Sequence, residues 1–517
     1  MRLPLGPSNS GVDSREAKAG ALLALVTILC LLTNFRQLAI WMCPLVALGL
    51  GLLTRHHFGQ SWYLLVGLAL LSTGAAIGTT GWLPAHYFTS LTLAFSLFYL
   101  WLFPNVGLHV GQSSHQTAVD DTKSIRVQWQ TLLASFDQWL LPILTTVLVV
   151  NNSIGLFEFL SSQLNRNDQY DDAFIGFYGR SGTAMHGLSI INAAVATLYL
   201  VSFGQSSALG WTRARLLRLA LALVLGISSV LCFYGLGLVI WMVMIGLMAL
   251  ASIRRPAFAG LLIIYGLLMV GISAWSSPKT MAYTVSNIDQ VTSNSKLDDW
   301  AGTNGNENNG KSAQNDALAR RYQHLPRKVQ LFGLYYGHYW GNWHLLILGS
   351  GPGTFCSRVT FLLGGDFSTK KWVNDLRPNA QPAFAQAYVL PLWSSKLTSM
   401  PYQDGTRNQP FSSVVAMVAE YGWLFALTLL VISCQMVWRS IIYLKGEAKT
   451  SYVTSGQIYV AGIVSISVLL LLHLLVDNLA ESSEFLVLLI LFKWLMRQTK
   501  MAPQDRFLSH ASSLQPS

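Results

Sequence analysis

Long stretches of apolar residues alternate with shorter polar segments along most of the chain. A helix needs about 20 largely apolar residues to cross the hydrocarbon layer of a membrane, because each residue adds about 1.5 Å to its length. Runs that approach this length lie at 19–34, 38–53, 61–79, 86–103, 138–158, 187–204, 216–233, 235–251, 257–275, 411–438, 456–476 and 484–497. The pattern therefore predicts an all-α, polytopic membrane helix bundle with about twelve transmembrane helices.

The apolar runs divide the chain into three regions. Residues 1–275 carry about nine predicted helices, residues 276–408 form one large loop, and residues 409–517 carry about three helices and a tail. Within the loop, residues 286–314 are rich in Asn, Gly, Ser and Asp, which is typical of a flexible tether. Beyond Arg320 the loop is rich in Tyr, Trp, His and Arg, and we expect helices separated by Pro and Gly. A loop of this length usually has a function.

The composition supports a membrane protein. Charged residues make up 11% of the chain, hydrophobic residues make up 52%, and the mean hydropathy is +0.42. Soluble domains contain about 25% charged residues, so a soluble enzyme, a disulfide scaffold and a disordered chain are excluded. No small-residue cleavage site follows the first apolar run, which predicts an uncleaved first helix rather than a signal peptide.

The distribution of basic residues predicts the orientation of the helices. If the N-terminus is cytoplasmic and the helices alternate in direction, the inner segments hold 18 Lys and Arg and the short outer loops hold three. Basic residues concentrate in cytoplasmic loops, so both termini are predicted to be cytoplasmic and segment 276–408 to be outside. The same bias accounts for the net charge of +11 without a nucleic-acid partner.

Arg180 is the first candidate for binding or catalysis. It lies in Tyr178-Gly-Arg-Ser-Gly-Thr183, just before the apolar run that begins at Gly187. A guanidinium beside backbone N–H groups at a helix start suits a phosphate or pyrophosphate. The alternative is an interfacial arginine that extends to lipid headgroups.

The segment Gly349-Ser-Gly-Pro-Gly-Thr-Phe355 is the second candidate. No βαβ pattern surrounds it and no Lys-Ser/Thr follows it, so a nucleotide site is excluded. Gly349, Gly351 and Gly353 instead predict a tight turn that lets backbone approach a ligand or another helix. Arg358 follows and places a cation beside this turn.

Several ionisable residues lie near predicted helix ends. Glu420 falls about two turns into the tenth run, where an unpaired carboxylate is costly, so it either pairs with an arginine or acts as a base. His338 and His344 lie in an aromatic-rich stretch, where they suit acid–base chemistry or interfacial packing. Glu484 lies with two other acidic residues between the last two runs and is interpreted as part of a solvated turn. No His or carboxylate pair has helical metal-ligand spacing, so we expect no metal site.

Three of these segments, in this order, resemble the signatures of the O-antigen ligase and polymerase superfamily. Arg180-Ser-Gly-Thr183, with His186 downstream, resembles that family's R-x-G-T segment. Gly349–Phe355 resembles its "GvGpGtF" signature in a large periplasmic loop, and Ala419-Glu-Tyr-Gly422 resembles the "aElG" signature that opens the next helix. The resemblance covers about residues 170–440.

The resemblance implies a GT-C-like integral membrane glycosyltransferase of the bacterial inner membrane. Such enzymes transfer a glycan from undecaprenyl pyrophosphate to an acceptor hydroxyl at the periplasmic face, without a nucleotide sugar, cofactor or required metal. The implied partners are undecaprenyl-pyrophosphate-linked oligosaccharide, membrane lipid, a flippase and chain-length regulator proteins. Arg180 matches the family's arginine and is expected at the pyrophosphate. Arg358, Arg377 and Arg407 are further substrate-binding candidates, chosen for charge and position.

The chain departs from the family's ligases at two places. Phe411 and Ser412 stand where the ligases carry a His-Asn pair, and Tyr234-Gly-Leu-Gly237 replaces an "SRga" segment. The missing histidine favours polymerisation of oligosaccharide repeat units into exopolysaccharide, capsule or O-antigen. The alternatives are ligase-type transfer of glycan to a lipid or protein acceptor, and a transporter or flippase for the lipid-linked glycan. His338 and His344 are candidates for the catalytic base.

Overall fold

The computed structural model describes residues 14–33, 60–80, 83, 86, 121–164, 174, 176–178, 184–204, 212–253, 256–276, 327–364, 382–392, 412–447, 456–476 and 482–501. Every regular element in these ranges is helical. The α-helices are α1 (Ser14–Leu32), α2 (Gln60–Thr80), α3 (Asp121–Leu164), α4 (Ala184–Gly204), α5 (Arg213–Leu231), α6 (Gly235–Ala251), α7 (Pro256–Ser276), α8 (Arg327–Tyr339), α9 (Trp343–Leu348), α10 (Arg358–Gly364), α11 (Ser413–Glu447), α12 (Gly456–Val476) and α13 (Ser483–Met501). Short 3-10 turns lie at Gly176–Tyr178 and Leu390–Leu392, and a π-helical turn lies at Ala385–Val389.

The all-α architecture that the sequence predicts is confirmed for the described residues. Ten of the twelve apolar runs form helices, and the runs at 38–53 and 86–103 lie outside the described residues except for His86. Long apolar runs favour a helix, because in lipid each backbone N–H and C=O must be satisfied within the segment. Helix α3 stays helical through its internal Pro142. The tether at 286–314 also lies outside the described residues.

Several helices have the length and composition of membrane spans. Five such segments occur among the described residues, at Ser135–Ser161, His186–Phe203, Arg213–Leu231, Pro256–Ser276 and Ser413–Ile432. Shorter apolar helices lie at Ala17–Leu32, Leu64–Thr79, Gly235–Leu250 and Ile463–Leu475. These helices indicate a membrane protein. The number of about twelve spans and the location of the large loop stay predictions.

Helix α4 lies at the centre of the bundle and is buried along nearly its whole length. It packs against α5, α12, α13 and α6. Hydrogen bonds also join polar side chains of α4 to three neighbours, at Asn192 with Asn152 of α3, Ser189 with Ser229 of α5, and Thr197 with Trp241 of α6. Polar contacts of this kind hold helices together in lipid, where apolar surface alone gives little driving force for association.

The helix ends that are predicted to face outside contact one another. The ring of His186 at the start of α4 stacks on Tyr234 before α6, with centroids 4.1 Å apart. The ring centroid of Tyr234 also lies 6.0 Å from that of His473, near the end of α12. The ring centroids of Phe159 of α3 and Phe233 are 5.9 Å apart. These ends therefore meet at one end of the bundle, which is the arrangement that helices of alternating direction predict.

The described residues 327–364 and 382–392 fold against the first turns of α11. Their helices α8, α9 and α10 and the π-helical turn share an apolar core with α11. The buried members of this core are Leu331, Tyr339, Phe355, Cys356, Phe361, Ala385, Val389, Leu390, Val415, Ala416 and Ala419. The helices expected beyond Arg320 are thus present from Arg327 onward, and they form a folded unit beside the membrane helices.

Helix α11 is broken at Gly422, whereas the apolar run at 411–438 predicts one continuous helix. The backbone of Gly422 has φ of 80° and ψ of 168°, far from helical values. The carbonyl oxygen of Ile347 lies only 2.0 Å from the position that a Cβ atom at Gly422 would occupy. The prediction of a single helix is wrong here because a second chain segment crosses the helix at this glycine.

Candidate functional site

The glycine-rich segment Gly349–Phe355 forms a tight turn between α9 and α10. Gly349, Gly351 and Gly353 have φ values of 79°, 100° and 73°. Positive φ values strain side-chain-bearing residues, which explains the glycine at each of these positions. The sequence interpretation of a tight glycine turn is therefore confirmed.

A chain of hydroxyl groups supports the turn. Tyr339 Oη donates to Ser350 Oγ at 2.6 Å, and Ser350 Oγ lies 2.7 Å from Thr354 Oγ1. Thr354 Oγ1 in turn donates to the carbonyl oxygen of Gly351 at 2.5 Å. Burial raises the pKa of the Tyr339 phenol well above its usual value, so Tyr339 acts as a neutral hydrogen-bond donor.

The carboxylate of Glu420 lies inside this turn and is fully buried. Its Oε2 accepts a hydrogen bond from the backbone N–H of Gly353 at 2.5 Å. The remaining donors point at Oε1, and they are the backbone N–H groups of Phe355, Cys356 and Ser357 at 3.1, 3.1 and 2.9 Å and the hydroxyl of Thr360 at 3.2 Å. Successive N–H groups in such a turn form an anion site, and here the anion is a side chain of the same protein.

Backbone hydrogen bonds join the same two segments. The N–H of Ser350 donates to the carbonyl oxygen of Ala419 at 2.8 Å, and the N–H of Gly351 donates to that of Glu420 at 3.0 Å. The hydroxyl of Ser72 on α2 donates to the same Glu420 carbonyl at 3.0 Å. A helix that breaks at Gly422 leaves the carbonyl groups before the break in need of new partners, and the turn supplies them.

The glycines allow the two backbones to touch. A Cβ atom at Gly349 would lie 2.4 Å from the carbonyl group of Glu420, and one at Gly351 would lie 2.3 Å from Cβ of Ala76. The sequence left open whether the turn approaches a ligand or another helix. The close approach observed here is to α11 and α2, while contact of these glycines with a substrate stays a prediction.

His338 and His344 have different surroundings. The His338 ring stacks on Phe384, with centroids 3.6 Å apart and planes 10° apart. Its partial burial lowers the pKa of His338 to about 4, so the ring is neutral at pH 7 and can accept a proton or a hydrogen bond. His344 is exposed and lies edge-on to Trp343. A catalytic role for either histidine stays a prediction.

Of the four predicted arginines, the structure describes one. Arg358 begins α10, is partly exposed, and directly follows Ser357, whose N–H binds Glu420. The turn around Glu420 therefore fixes the backbone from which Arg358 extends. Arg180, Arg377 and Arg407 lie outside the described residues.

No sequence pattern indicates the contacts that hold the turn at Gly176–Tyr178, just before Arg180 in the chain. The N–H of Gly176 donates to Glu158 Oε2 at 3.0 Å, and the N–H of Tyr178 donates to Asn151 Oδ1 at 3.1 Å. Tyr178 Oη also donates to Glu484 Oε1 at 2.5 Å. Single carboxylates and amides in apolar runs carry no spacing signal that would pair them across more than 300 residues.

The interpretation of Glu484 as part of a solvated turn is wrong. Its side chain is buried, and a Cβ atom at Gly187 would lie 2.2 Å from it, so α13 and α4 meet closely at this point. The glycine at position 187 leaves room for the carboxylate, and Tyr178 supplies its hydrogen bond. A buried carboxylate with a short hydrogen bond is stable where an isolated one would not be.

His86 is a further residue that sequence analysis missed. It is buried, and its Nδ1 lies 2.9 Å from the carbonyl oxygen of Pro352 in the glycine turn. The only sequence signal is a histidine near the start of an apolar run. Together with Ala76 and Ser72 of α2, His86 brings the N-terminal region of the chain to the turn.

The site is a glycine turn that contacts Glu420 of α11, Ala76 of α2 and His86. Among the described residues, no cluster of three or more His, Cys, Asp or Glu side chains is placed to hold a metal ion.

No known protein family, curated protein or solved structure gives a significant match to this chain.

Proposed function

We propose that this chain is a membrane glycosyltransferase that polymerises undecaprenyl-pyrophosphate-linked oligosaccharide repeat units. The product is an exopolysaccharide, a capsule or an O-antigen, and the reaction takes place at the periplasmic face of the bacterial inner membrane. In this proposal both termini are cytoplasmic and the loop 276–408 is periplasmic. The proposal combines the resemblance to the O-antigen ligase and polymerase superfamily with the geometry around Glu420.

The observation that supports the proposal most is the joining of two sequence signatures. The segments Gly349–Phe355 and Ala419–Gly422 were selected independently, and Gly353 and Glu420 are 67 residues apart in the chain. They contact each other through the Glu420 carboxylate and through two backbone hydrogen bonds. Segments that match separate family signatures are expected to share one site if the resemblance reflects a common enzyme.

The reaction needs two kinds of group at this site, cations and a base. The bond between the sugar C1 and the pyrophosphate oxygen breaks, a bond from C1 to the acceptor oxygen forms, and undecaprenyl pyrophosphate leaves. Cations must stabilise the charge that develops on the pyrophosphate, and Arg180 is the first candidate, followed by Arg358, Arg377 and Arg407. A base must take the acceptor proton, and His338 and His344 are the candidates in the loop.

Glu420 has a different role in this proposal. Its carboxylate accepts four backbone N–H groups and a hydroxyl and has no exposed surface, so it does not reach an acceptor hydroxyl. We therefore assign Glu420 as a positioning residue that fixes the glycine turn and, through Ser357, the start of α10. Four N–H groups that could otherwise bind an anion are directed at the Glu420 carboxylate, which leaves recognition of the pyrophosphate to the arginines.

A strain that lacks this gene tests the function. Surface glycan is resolved by size on a gel, and lipid-linked glycan is extracted from the membrane. Polymerase activity predicts that single repeat units still reach their normal acceptor while the long chains disappear. Long chains that accumulate on undecaprenyl pyrophosphate would establish the ligase instead, and repeat units trapped on the cytoplasmic side would establish a flippase.

A further inference from the structure

One face of α8, together with the start of α9, presents aromatic side chains to the surroundings. Phe332, Tyr336 and Trp340 recur every four residues, which places them on the same side of the helix, and Trp343 begins α9. Their side chains are 39, 52, 65 and 71% exposed, respectively. The rings of Tyr336 and Trp340 stack on each other with centroids 4.9 Å apart.

The opposite face of α8 is buried. Leu334, which lies opposite Tyr336 on the helix, is buried, and Leu331 and Tyr339 pack into the core that this segment shares with α11. The exposed aromatic side chains are therefore the outer face of a fixed helix, and not part of an unfolded loop. A contiguous exposed apolar face of this kind marks a surface that contacts something other than water.

The neighbouring helix α11 identifies what that surface contacts. Its residues from Ser412 to Gly422 are largely buried, and exposed apolar side chains begin at Trp423 and continue with Leu424, Leu427, Leu430 and Val431. Helix α11 continues to Glu447, so the part from Trp423 onward is long enough to cross the hydrocarbon, and its exposed apolar surface faces lipid. The lipid-facing part of α11 thus starts at Trp423.

Helix α9 lies at the level of that starting point. The Ile347 carbonyl contacts the backbone at Gly422, one residue before Trp423, and the Ile347 side chain is itself exposed. The aromatic face of α8 and α9 therefore continues the lipid-facing surface of α11 at its outer end. Trp and Tyr concentrate at this depth of a membrane, where the ring contacts apolar chains and the polar edge contacts headgroups.

We propose that the aromatic face formed by Phe332, Tyr336, Trp340 and Trp343 lies in the headgroup region of the membrane and contacts phospholipid. Helix α8 is then an interfacial helix that lies against the membrane surface. This contact holds the glycine turn, which follows α9 directly, at a fixed height above the hydrocarbon. The proposal does not depend on the reaction that the protein catalyses.

Photo-cross-linking in native membranes identifies the contact directly. The photoreactive residue p-benzoylphenylalanine is placed singly at Tyr336, Trp340 or Trp343 in the full chain, and the adducts are identified by mass spectrometry. Leu430 on the lipid-facing side of α11 is the positive control. Gln386, which is exposed but belongs to the π-helical turn, is the matched control outside the aromatic face.

We expect phospholipid adducts at Trp340 and Trp343 at a yield within about threefold of that at Leu430, and at least about fivefold above that at Gln386. Adducts to glycan, to another protein or to another segment of this chain at all three aromatic positions would overturn the proposal. The absence of any adduct there, with normal yield at Leu430, would also overturn it, because it would place the face in water.

Discussion

At the scale of single residues, the Glu420 carboxylate and the glycine turn depend on each other. An ionised carboxylate buried without partners would cost several kcal/mol. Four backbone N–H groups and the Thr360 hydroxyl offset that cost. The same hydrogen bonds satisfy four N–H groups of the turn, so loss of either part should disorder the other.

We expect Glu420→Gln to destabilise the protein by about 3 kcal/mol or more, because the amide replaces a charged acceptor with a group that itself donates. Glu158→Gln is the matched control, since among the described residues Glu158 accepts one N–H, that of Gly176, and it should cost about 1 kcal/mol. Thermal unfolding in detergent measures both changes. A stable Glu420→Gln protein without activity would contradict the positioning role and would indicate proton transfer by Glu420.

Gly422 is the second residue on which the site depends. Gly422→Ala is expected to destabilise the protein by at least about 1–3 kcal/mol, because its φ and ψ fall in a region that only glycine adopts without strain. The new Cβ atom would also collide with the Ile347 carbonyl. Gly341→Ala is the control, since nothing lies within 4 Å of a Cβ atom there. Equal unfolding temperatures for the two variants would contradict the crossing of α9 and α11.

His338 should make the stability of the protein depend on pH. Burial lowers the pKa of His338 to about 4 in the folded protein, while an unfolded histidine has a pKa near 6.5. The unfolded chain therefore binds the proton more readily, so this contribution is present above pH 6.5 and is lost as the pH falls towards 4. We expect the unfolding temperature of His338→Gln to fall less over this window than that of the wild type. Parallel curves from pH 4 to 6.5 would contradict the burial of His338.

Arg180 is the residue that we propose to stabilise the leaving pyrophosphate. Arg180→Ala is expected to abolish long-chain glycan, because the leaving pyrophosphate loses its main cation, while membrane levels of the protein stay normal. Arg166→Ala, in the same predicted outer loop but outside the signature, is the control and should leave the polymer unchanged. Normal polymer from Arg180→Ala would remove Arg180 from the site.

At the scale of elements, α4 organises the bundle through polar side chains on several of its faces. Thr197→Val leaves the N–H of Trp241 on α6 without its partner, and we expect a loss of about 0.6–2 kcal/mol in stability. Thr146→Val is the control, because among the described residues that exposed hydroxyl bonds to the Pro142 carbonyl of its own helix alone. Equal stability of the two variants would show that the Trp241 contact contributes nothing.

Helices were easier to predict from the sequence than the contacts between them. An apolar run of sufficient length predicts a helix through local composition alone, and this holds for α4, α5 and α7. The break at Gly422 was missed because its cause is the crossing of residues 347–349, which lie more than 70 positions earlier. The burial of Glu484 was missed for the same reason, since its partner Tyr178 is 306 residues away.

Only the part of the site that depends on local backbone conformation could be predicted from the sequence. Glycines at alternate positions predicted a tight turn, because positive φ is a local property of the backbone. Glu420 was recognised as needing a partner, but an arginine or a catalytic role was expected. Its actual partners are four backbone N–H groups and the Thr360 hydroxyl, and a backbone N–H, which every residue except proline carries, leaves no trace in the sequence.

At the scale of the whole molecule, the glycine turn joins distant parts of the chain. The turn contacts Ala76 and His86 from the N-terminal region and Glu420 from the C-terminal region, and Ser72 donates a hydrogen bond to the Glu420 carbonyl. A turn fixed from both regions keeps its position relative to the membrane helices. In the proposed reaction, this fixed position would hold Arg358 and the folded loop over the lipid-linked substrate.

The most direct test uses the purified protein in liposomes with undecaprenyl-pyrophosphate-linked repeat units as the only substrate. Products are resolved by size, and released undecaprenyl pyrophosphate is measured in the same sample. We expect a ladder of repeat-unit multiples with one undecaprenyl pyrophosphate released per added unit, and neither product from Arg180→Ala. Repeat units that stay single while the wild-type protein remains folded would contradict the proposal that this chain is a polymerase.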